Sequence, residues 1–180
     1  MSVKSKLIYL TGFMGSGKTT IGHILANKIG WDFLDLDKLI ETETGKKISG
    51  IFQEEGEEYF RQLESEYLKK ISHYQQHIVS LGGGTIAFFD NLNILKNSGR
   101  IVYLKTSPEK VYARLRFKTD RPVLRMQEEN DDKNKILTRI ADLMEKREIY
   151  YSQADIIFRT DNLPMGKAVD LLAKMINKYI

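Results

Sequence analysis

The segment Gly12-Phe13-Met14-Gly15-Ser16-Gly17-Lys18-Thr19 constrains this chain more than any other stretch of it. It follows the apolar run Leu7 to Leu10. Beyond it, Ile21, Ile24, Leu25 and Ile29 recur at helical spacing, so they form one apolar stripe on a helix that ends at Gly30. Strand, glycine-rich turn and helix in that order make a cradle for an anion. The glycines let successive backbone N–H groups converge, and the helix start adds partial positive charge. In this pattern Lys18 reaches the β- and γ-phosphates of a nucleotide, and the Thr19 hydroxyl ligates the magnesium that bridges them. A ligand-free turn is the alternative, and the full pattern in its proper context speaks against it. The expected ligands are ATP and Mg2+, with Gly12, Met14, Gly15, Ser16, Gly17, Lys18, Thr19 and Thr20 around the nucleotide.

Four more short apolar runs read as buried strands: around Phe33 to Leu34, Ile78 to Leu81, Ile101 to Leu104 and Ile156 to Phe158. Helical patterns lie between them. Phe60, Leu63, Tyr67, Leu68 and Ile71 make one stripe; Ile136, Ile140, Leu143, Met144, Arg147 and Tyr151 make another; Ala168, Leu171, Leu172, Met175, Ile176 and Tyr179 make the last. Ser107 before Pro108 is a helix start, since the hydroxyl caps free N–H groups and proline supplies the first-turn φ. Strand runs that are apolar throughout point to a parallel sheet covered on both faces. The expectation is therefore a three-layer α/β/α fold around five parallel strands, with ligands at their carboxyl ends. A chain of 180 residues accommodates one domain of this kind, spanning 1–180. The segment from Lys118 to Lys135 is the least core-like and reads as a mobile excursion.

Composition removes several classes. Hydrophobic residues at 42% and charged residues at 29% are far from the usage of disordered or membrane chains. No apolar run approaches the roughly 20 residues of a membrane span. The absence of cysteine excludes disulfides and thiolate metal sites and fits a cytoplasmic protein. The net charge of +4 is spread along the chain without a dense basic run, so neither nucleic acid nor membrane is expected as a partner, and monomer is the default. Asn27-Lys28, Asn134-Lys135 and Asn177-Lys178 all lack the aspartate of a guanine reader, which argues against a GTPase.

Acceptor chemistry comes from further along the chain. Asp35-Leu36-Asp37 places two carboxylates at the end of the second strand, one able to hold a magnesium shell and the other to accept a proton from an attacking hydroxyl. Asp37 as a simple helix cap is the plainer alternative. Arg147 falls on an apolar stripe, and a charge facing inward needs a partner. Arg61 lies three residues before Glu64 on another. Internal ion pairs or ligand contacts explain both. Gly82-Gly83-Gly84 after the third strand allows close approach of a ligand to the backbone, or a turn of positive φ.

Taken together these residues resemble the shikimate kinases. The resemblance runs over nearly the whole chain: the phosphate loop, Phe33 to Asp37 with Ile40-Glu41, Gly56-Glu57, Phe60-Arg61 and Glu64, the glycine triplet, Arg121-Pro122-Val123-Leu124, and Arg147 with Tyr150. It implies transfer of the ATP γ-phosphate to the 3-hydroxyl of shikimate, a step toward aromatic amino acids. It further implies that Lys18, Asp37 and Arg121 are catalytic, that Asp35 and Thr19 attend the metal, and that Arg61 and Arg147 clamp the shikimate carboxylate. Gly82, Gly83 and Gly84 would meet the substrate ring, Arg114 would lie over the adenine, and residues 117–133 would form a lid carrying Arg121. Residues from about 35 to 65 would form a small helical substrate-binding region. His23 stands where the family often has arginine, Val123 replaces a common leucine, and the acidic stretch from Gln127 to Asp132 is longer than usual. Gluconate kinases share the loop, the lid and an acidic substrate. A regulator that has lost catalysis would lack Lys18, Asp37 or Arg121, and all three are present.

Overall fold

The computed structural model describes residues 7–116 and 132–180. Five strands, β1 (Leu7–Thr11), β2 (Asp32–Asp35), β3 (His77–Ser80), β4 (Arg100–Lys105) and β5 (Ile156–Arg159), fall on the five apolar runs. They pair in parallel in the order β2-β3-β1-β4-β5. Leu7 and Tyr9 of β1 enter one apolar cluster, while Ile8 and Leu10 enter another. In β4, Ile101 and Tyr103 divide from Val102 and Leu104 in the same way. Side chains alternate across a strand, so a run that serves two cores must be apolar at every position.

One face of the sheet is covered by α1 (Lys18–Ile29) and α8 (Met165–Ile176), whose Ile21, Leu25, Val169 and Leu172 complete the second cluster. The other face carries α4 (Gly56–Ile71), α5 (Asn91–Ser98) and the end of α7 (Lys133–Tyr151) through Leu68, Leu95 and Tyr151. Two short helices, α2 (Leu36–Thr44) and α3 (Ile48–Glu54), pack against α4 on this side. Beyond the strand ends, Phe13 and Met14 pack with Val111 and Leu115 of α6 (Pro108–Leu115) and with Ile136 and Ile140 of α7. Ser107 caps α6 as expected, its hydroxyl accepting the Lys110 N–H at 3.4 Å. Among the described residues no helix is long and apolar enough to cross a membrane.

The helix stripes need one correction. Ile24, Leu171 and Met175 are exposed at 41%, 38% and 37%, whereas Gly22, Ala26 and Ala173 are buried in their place. Small residues line the faces where α1 and α8 meet each other and the sheet. A Cβ at Gly22 would lie 2.4 Å from the Phe33 ring, so the approach there is too close for larger side chains.

From β1 the chain leaves through α1 on one face, and from β3 it leaves through α5 toward β4 on the other. The crevice between the carboxyl ends of β1 and β3 is thus the topological switch point, where ligands of open α/β sheets collect.

Candidate active site

A cleft of about 1280 Å³ occupies that crevice and brings the two halves of the expected site into one space. On the nucleotide side, Gly12, Gly15 and Gly17 have φ of 139°, 78° and 99°. These values are strained for any residue with a Cβ, so the course of the loop requires glycine at all three positions. At Gly12 a Cβ would also meet the Leu104 carbonyl oxygen at 2.6 Å. Lys18 is 8% exposed, and its Nζ donates to the carbonyls of Gly12 at 2.7 Å and Phe13 at 3.0 Å, which stretches it back over the loop. The Ser16 hydroxyl is buried without a hydrogen-bond partner among the described residues. A buried hydroxyl of that kind costs free energy unless a ligand engages it, so the loop fits a phosphate chain. Thr20 and Met14 line the same cleft. From α6, Arg114 donates to the Gly15 carbonyl at 2.7 Å and borders the cleft near Thr160 and Leu163.

The Thr19 hydroxyl donates to Asp35 Oδ2 at 2.8 Å, while Asp35 Oδ1 accepts the Lys38 N–H at 3.3 Å and caps α2. One hydroxyl backed by one carboxylate suits magnesium, which keeps most of its water and takes its remaining oxygens from phosphates. No group of three or more His, Cys, Asp or Glu able to hold a metal occurs among the described residues. The donor set therefore fits an ion that arrives with its nucleotide.

Since Asp35 caps α2, Asp37 is left in the first turn and lines the cleft. Its Oδ1 would stand 3.0 Å from a Cβ at Gly82. The glycine triplet has no positive φ, which removes the turn as its explanation. Close packing explains it instead. A Cβ at Gly82 would also lie 2.6 Å from Glu64 Oε1, one at Gly83 3.3 Å from the Met14 nitrogen, and one at Gly84 2.9 Å from Arg61 Nη2. The triplet is the floor on which the acceptor-side groups rest.

Arg61 is 5% exposed and Glu64 fully buried, as the stripe on α4 requires. Arg61 Nη1 donates to Glu64 Oε2 at 2.6 Å, and its Nε and Nη2 donate to Glu57 Oε1 at 3.2 and 3.1 Å. The Phe88 ring lies under the guanidinium at 4.3 Å from Cζ. Glu64 in turn accepts from the Thr85 hydroxyl. Ion pairing and orientation are thus the same arrangement: a guanidinium fixed on three sides and held at the cleft wall. Arg147 is half-buried on α7, donates Nη1 to the Gly83 carbonyl at 3.2 Å and sits 5.6 Å from the Phe13 ring centroid.

Arg121 and most of the expected lid lie outside the described residues. Sequence reasoning passed over Phe88, Thr85 and Glu57 as neighbours of Arg61. Phe88 carries no periodic signal, for it follows a 3₁₀ turn, Thr85–Ala87. His23 packs against Phe33 with ring centroids 4.1 Å apart and the rings tilted by 35°.

A loop shaped for phosphates that shares its cleft with an acid and two guanidinium groups can pass a phosphoryl group to a small anionic acceptor. In class this is a phosphate-loop kinase, an ATP-dependent enzyme that phosphorylates a hydroxyl group. The family model described as shikimate kinase matches residues 14–177, and the chain belongs to the shikimate kinase family. Shikimate kinases of Chlorobium phaeobacteroides and Chlorobaculum tepidum are 45% and 44% identical to it, each over 97% of this chain and 92% of the relative. Among solved structures, shikimate kinase from Bacteroides thetaiotaomicron superposes with a TM-score of 0.86 at 33% identity, covering 96% of this chain and 98% of that one. Shikimate kinase from Acinetobacter baumannii in complex with shikimate gives 0.83 at 35% identity, covering 97% and 92%.

Proposed function

We propose that this chain transfers the γ-phosphoryl group of ATP to the 3-hydroxyl of shikimate, giving shikimate 3-phosphate and ADP on the way to aromatic amino acids. One observation carries the choice of acceptor: Asp37, Arg147 and Arg61 line the cleft in turn at Gly82, Gly83 and Gly84, beside the phosphate loop. Two guanidinium groups suit a carboxylate, because each presents parallel N–H donors, and one carboxylate suits a hydroxyl that must lose a proton.

In this reading Lys18 leaves its own loop carbonyls for the β- and γ-phosphates, and the backbone from Gly12 to Thr20, with Met14, Gly15, Ser16 and Gly17, encloses them. Arg114 flanks the adenine. A magnesium ion at Thr19, backed by Asp35, supplies charge neutralisation between the phosphates when bound. Asp37 orients the acceptor hydroxyl and takes its proton. Residues 35 to 65 form the acceptor-binding region within one domain spanning 1–180, and 117–133 the lid through which Arg121 reaches the transferred group. Excluding water from the closed site is the reason for such a lid. The enzyme works in the cytoplasm as a monomer, without nucleic-acid or membrane partners.

Arg147 gives the cleaner test of the clamp. Replacing Arg61 would strand the fully buried Glu64, at a cost of roughly 3–5 kcal/mol of stability, and would confuse folding with binding. Arg147→Ala is expected to weaken shikimate binding by about 2 kcal/mol or more, since it removes a charged hydrogen-bond donor, and to leave ATP binding unchanged. Titration calorimetry with each ligand checks this; equal losses for both ligands would refute the assignment.

A further inference from the structure

The Gly83 carbonyl receives two donors from one helix. Arg147 Nη1 reaches it at 3.2 Å, and the Tyr151 hydroxyl donates to the same oxygen. Arg147 and Tyr151 are four residues apart on α7, hence on one face of it, and the carbonyl lies where that face meets the triplet. Tyr151 is fully buried at the last residue of the helix, its ring stacked on Tyr103 of β4 at 4.9 Å between centroids and 30° between planes. Between the two positions, Glu148 turns to the sheet instead. Its Oε2 accepts the Tyr103 hydroxyl at 2.8 Å, and its Oε1 accepts from Lys105. The final turn of α7 is therefore fastened twice, to β4 through Glu148 and to the glycine triplet through Tyr151.

Resting on the reading of Arg147 as a carboxylate clamp, we propose that Tyr151 is a positioning residue for shikimate binding, with Glu148 as its second anchor: together they fix the register of Arg147 against Gly83. An arginine has several rotatable bonds, and a clamp gains affinity only when its fork is already aimed. A carbonyl oxygen has two lone pairs. With one held by the Tyr151 hydroxyl, the Gly83 peptide plane is set, and Arg147 docks on a fixed acceptor. Burial pushes the Tyr151 phenol up to about 12, although the nearby Arg147 pulls the other way, so the hydroxyl remains a donor across the working range.

Tyr151→Phe removes one oxygen and keeps the ring stacked on Tyr103. Steady-state kinetics should show the shikimate KM raised about three- to tenfold, the loss expected for one buried hydrogen bond, with kcat and the ATP KM within about twofold of wild type. In an Arg147→Ala background the same change should add nothing to the shikimate KM, because Tyr151 acts through Arg147. Glu148→Ala, which cuts the other anchor, should shift the shikimate KM in the same direction and serves if Tyr151→Phe folds poorly. A phenol with a purely structural role predicts a lower melting temperature with an unchanged shikimate KM, or equal rises for both substrates; either result overturns the proposal. An effect of Tyr151→Phe that persists undiminished without Arg147 also overturns it. If Arg147→Ala raises the shikimate KM and Tyr151→Phe does not, the positioning role alone fails. If neither variant moves it, the clamp reading fails and the positioning role falls with it.

Discussion

Arg61 shows how much of the site is settled by single residues and how little of that is local. Its inward direction follows from the stripe that Phe60, Tyr67, Leu68 and Ile71 make on α4, which was readable in the sequence. The groups that immobilise it were not, since Thr85 and Phe88 approach from a segment more than twenty residues away and obey no helical period. Gly84 belongs to the same lock. A Cβ there would press on Arg61 at 2.9 to 3.0 Å, and the guanidinium, held by Glu57, Glu64 and Phe88, has nowhere to retreat. Gly84→Ala is accordingly expected to raise the shikimate KM about tenfold or more while the ATP KM stays put, on the ordinary cost of overpacking. Kinetics with each substrate varied in turn check this. An unchanged shikimate KM would mean that Arg61 has more freedom than its contacts imply.

Between elements, the strands were legible because a sheet covered on both faces demands continuous apolar runs, and all five runs are strands. The buried faces of α1 and α8 were partly misread because periodicity was counted mostly on large side chains, whereas Gly22, Ala26 and Ala173 also carry the contact. A helix as polar as α5, Asn91–Ser98, gave no signal; it is fixed by Leu95 and by its place beside β4. Asp161 illustrates a junction that no pattern announces. Just beyond β5, it accepts the Thr106 hydroxyl at 2.6 Å and the Ser107 N–H at 3.1 and 3.0 Å, tying β5 to the start of the helix that carries Arg114. Partial burial pushes its carboxyl up, but the hydrogen bonds from Thr106 and Ser107 outweigh this and hold it below the usual aspartate range. A carboxyl lowered in the folded state stabilises the fold above its unfolded value, and that contribution disappears as pH falls through the folded value. The melting-temperature advantage of wild type over Asp161→Asn should be full above about pH 4 and shrink below it. An advantage that is flat with pH would show that the charge at Asp161 contributes nothing.

At the scale of the molecule, the strand order decides what the chain can do. Placing β1 between β3 and β4 sets the phosphate loop beside the glycine triplet, and α2 to α4 bring Asp37 and Arg61 to the same crevice. The loop was evident from eight consecutive residues. The acceptor pocket had to be assembled from four separate segments, and only the family resemblance joined them before the fold did. The central claim, a kinase whose acceptor is chosen by two arginines and one aspartate, is tested most directly by a coupled ADP-release assay with magnesium and ATP. Shikimate, gluconate and nucleoside monophosphates are compared side by side in it. Shikimate is expected to exceed every other acceptor in kcat/KM by about a hundredfold or more, as befits a pocket whose buried polar groups go unpaired with the wrong ligand. Equal rates with gluconate, or no preference among the acceptors, would contradict the account.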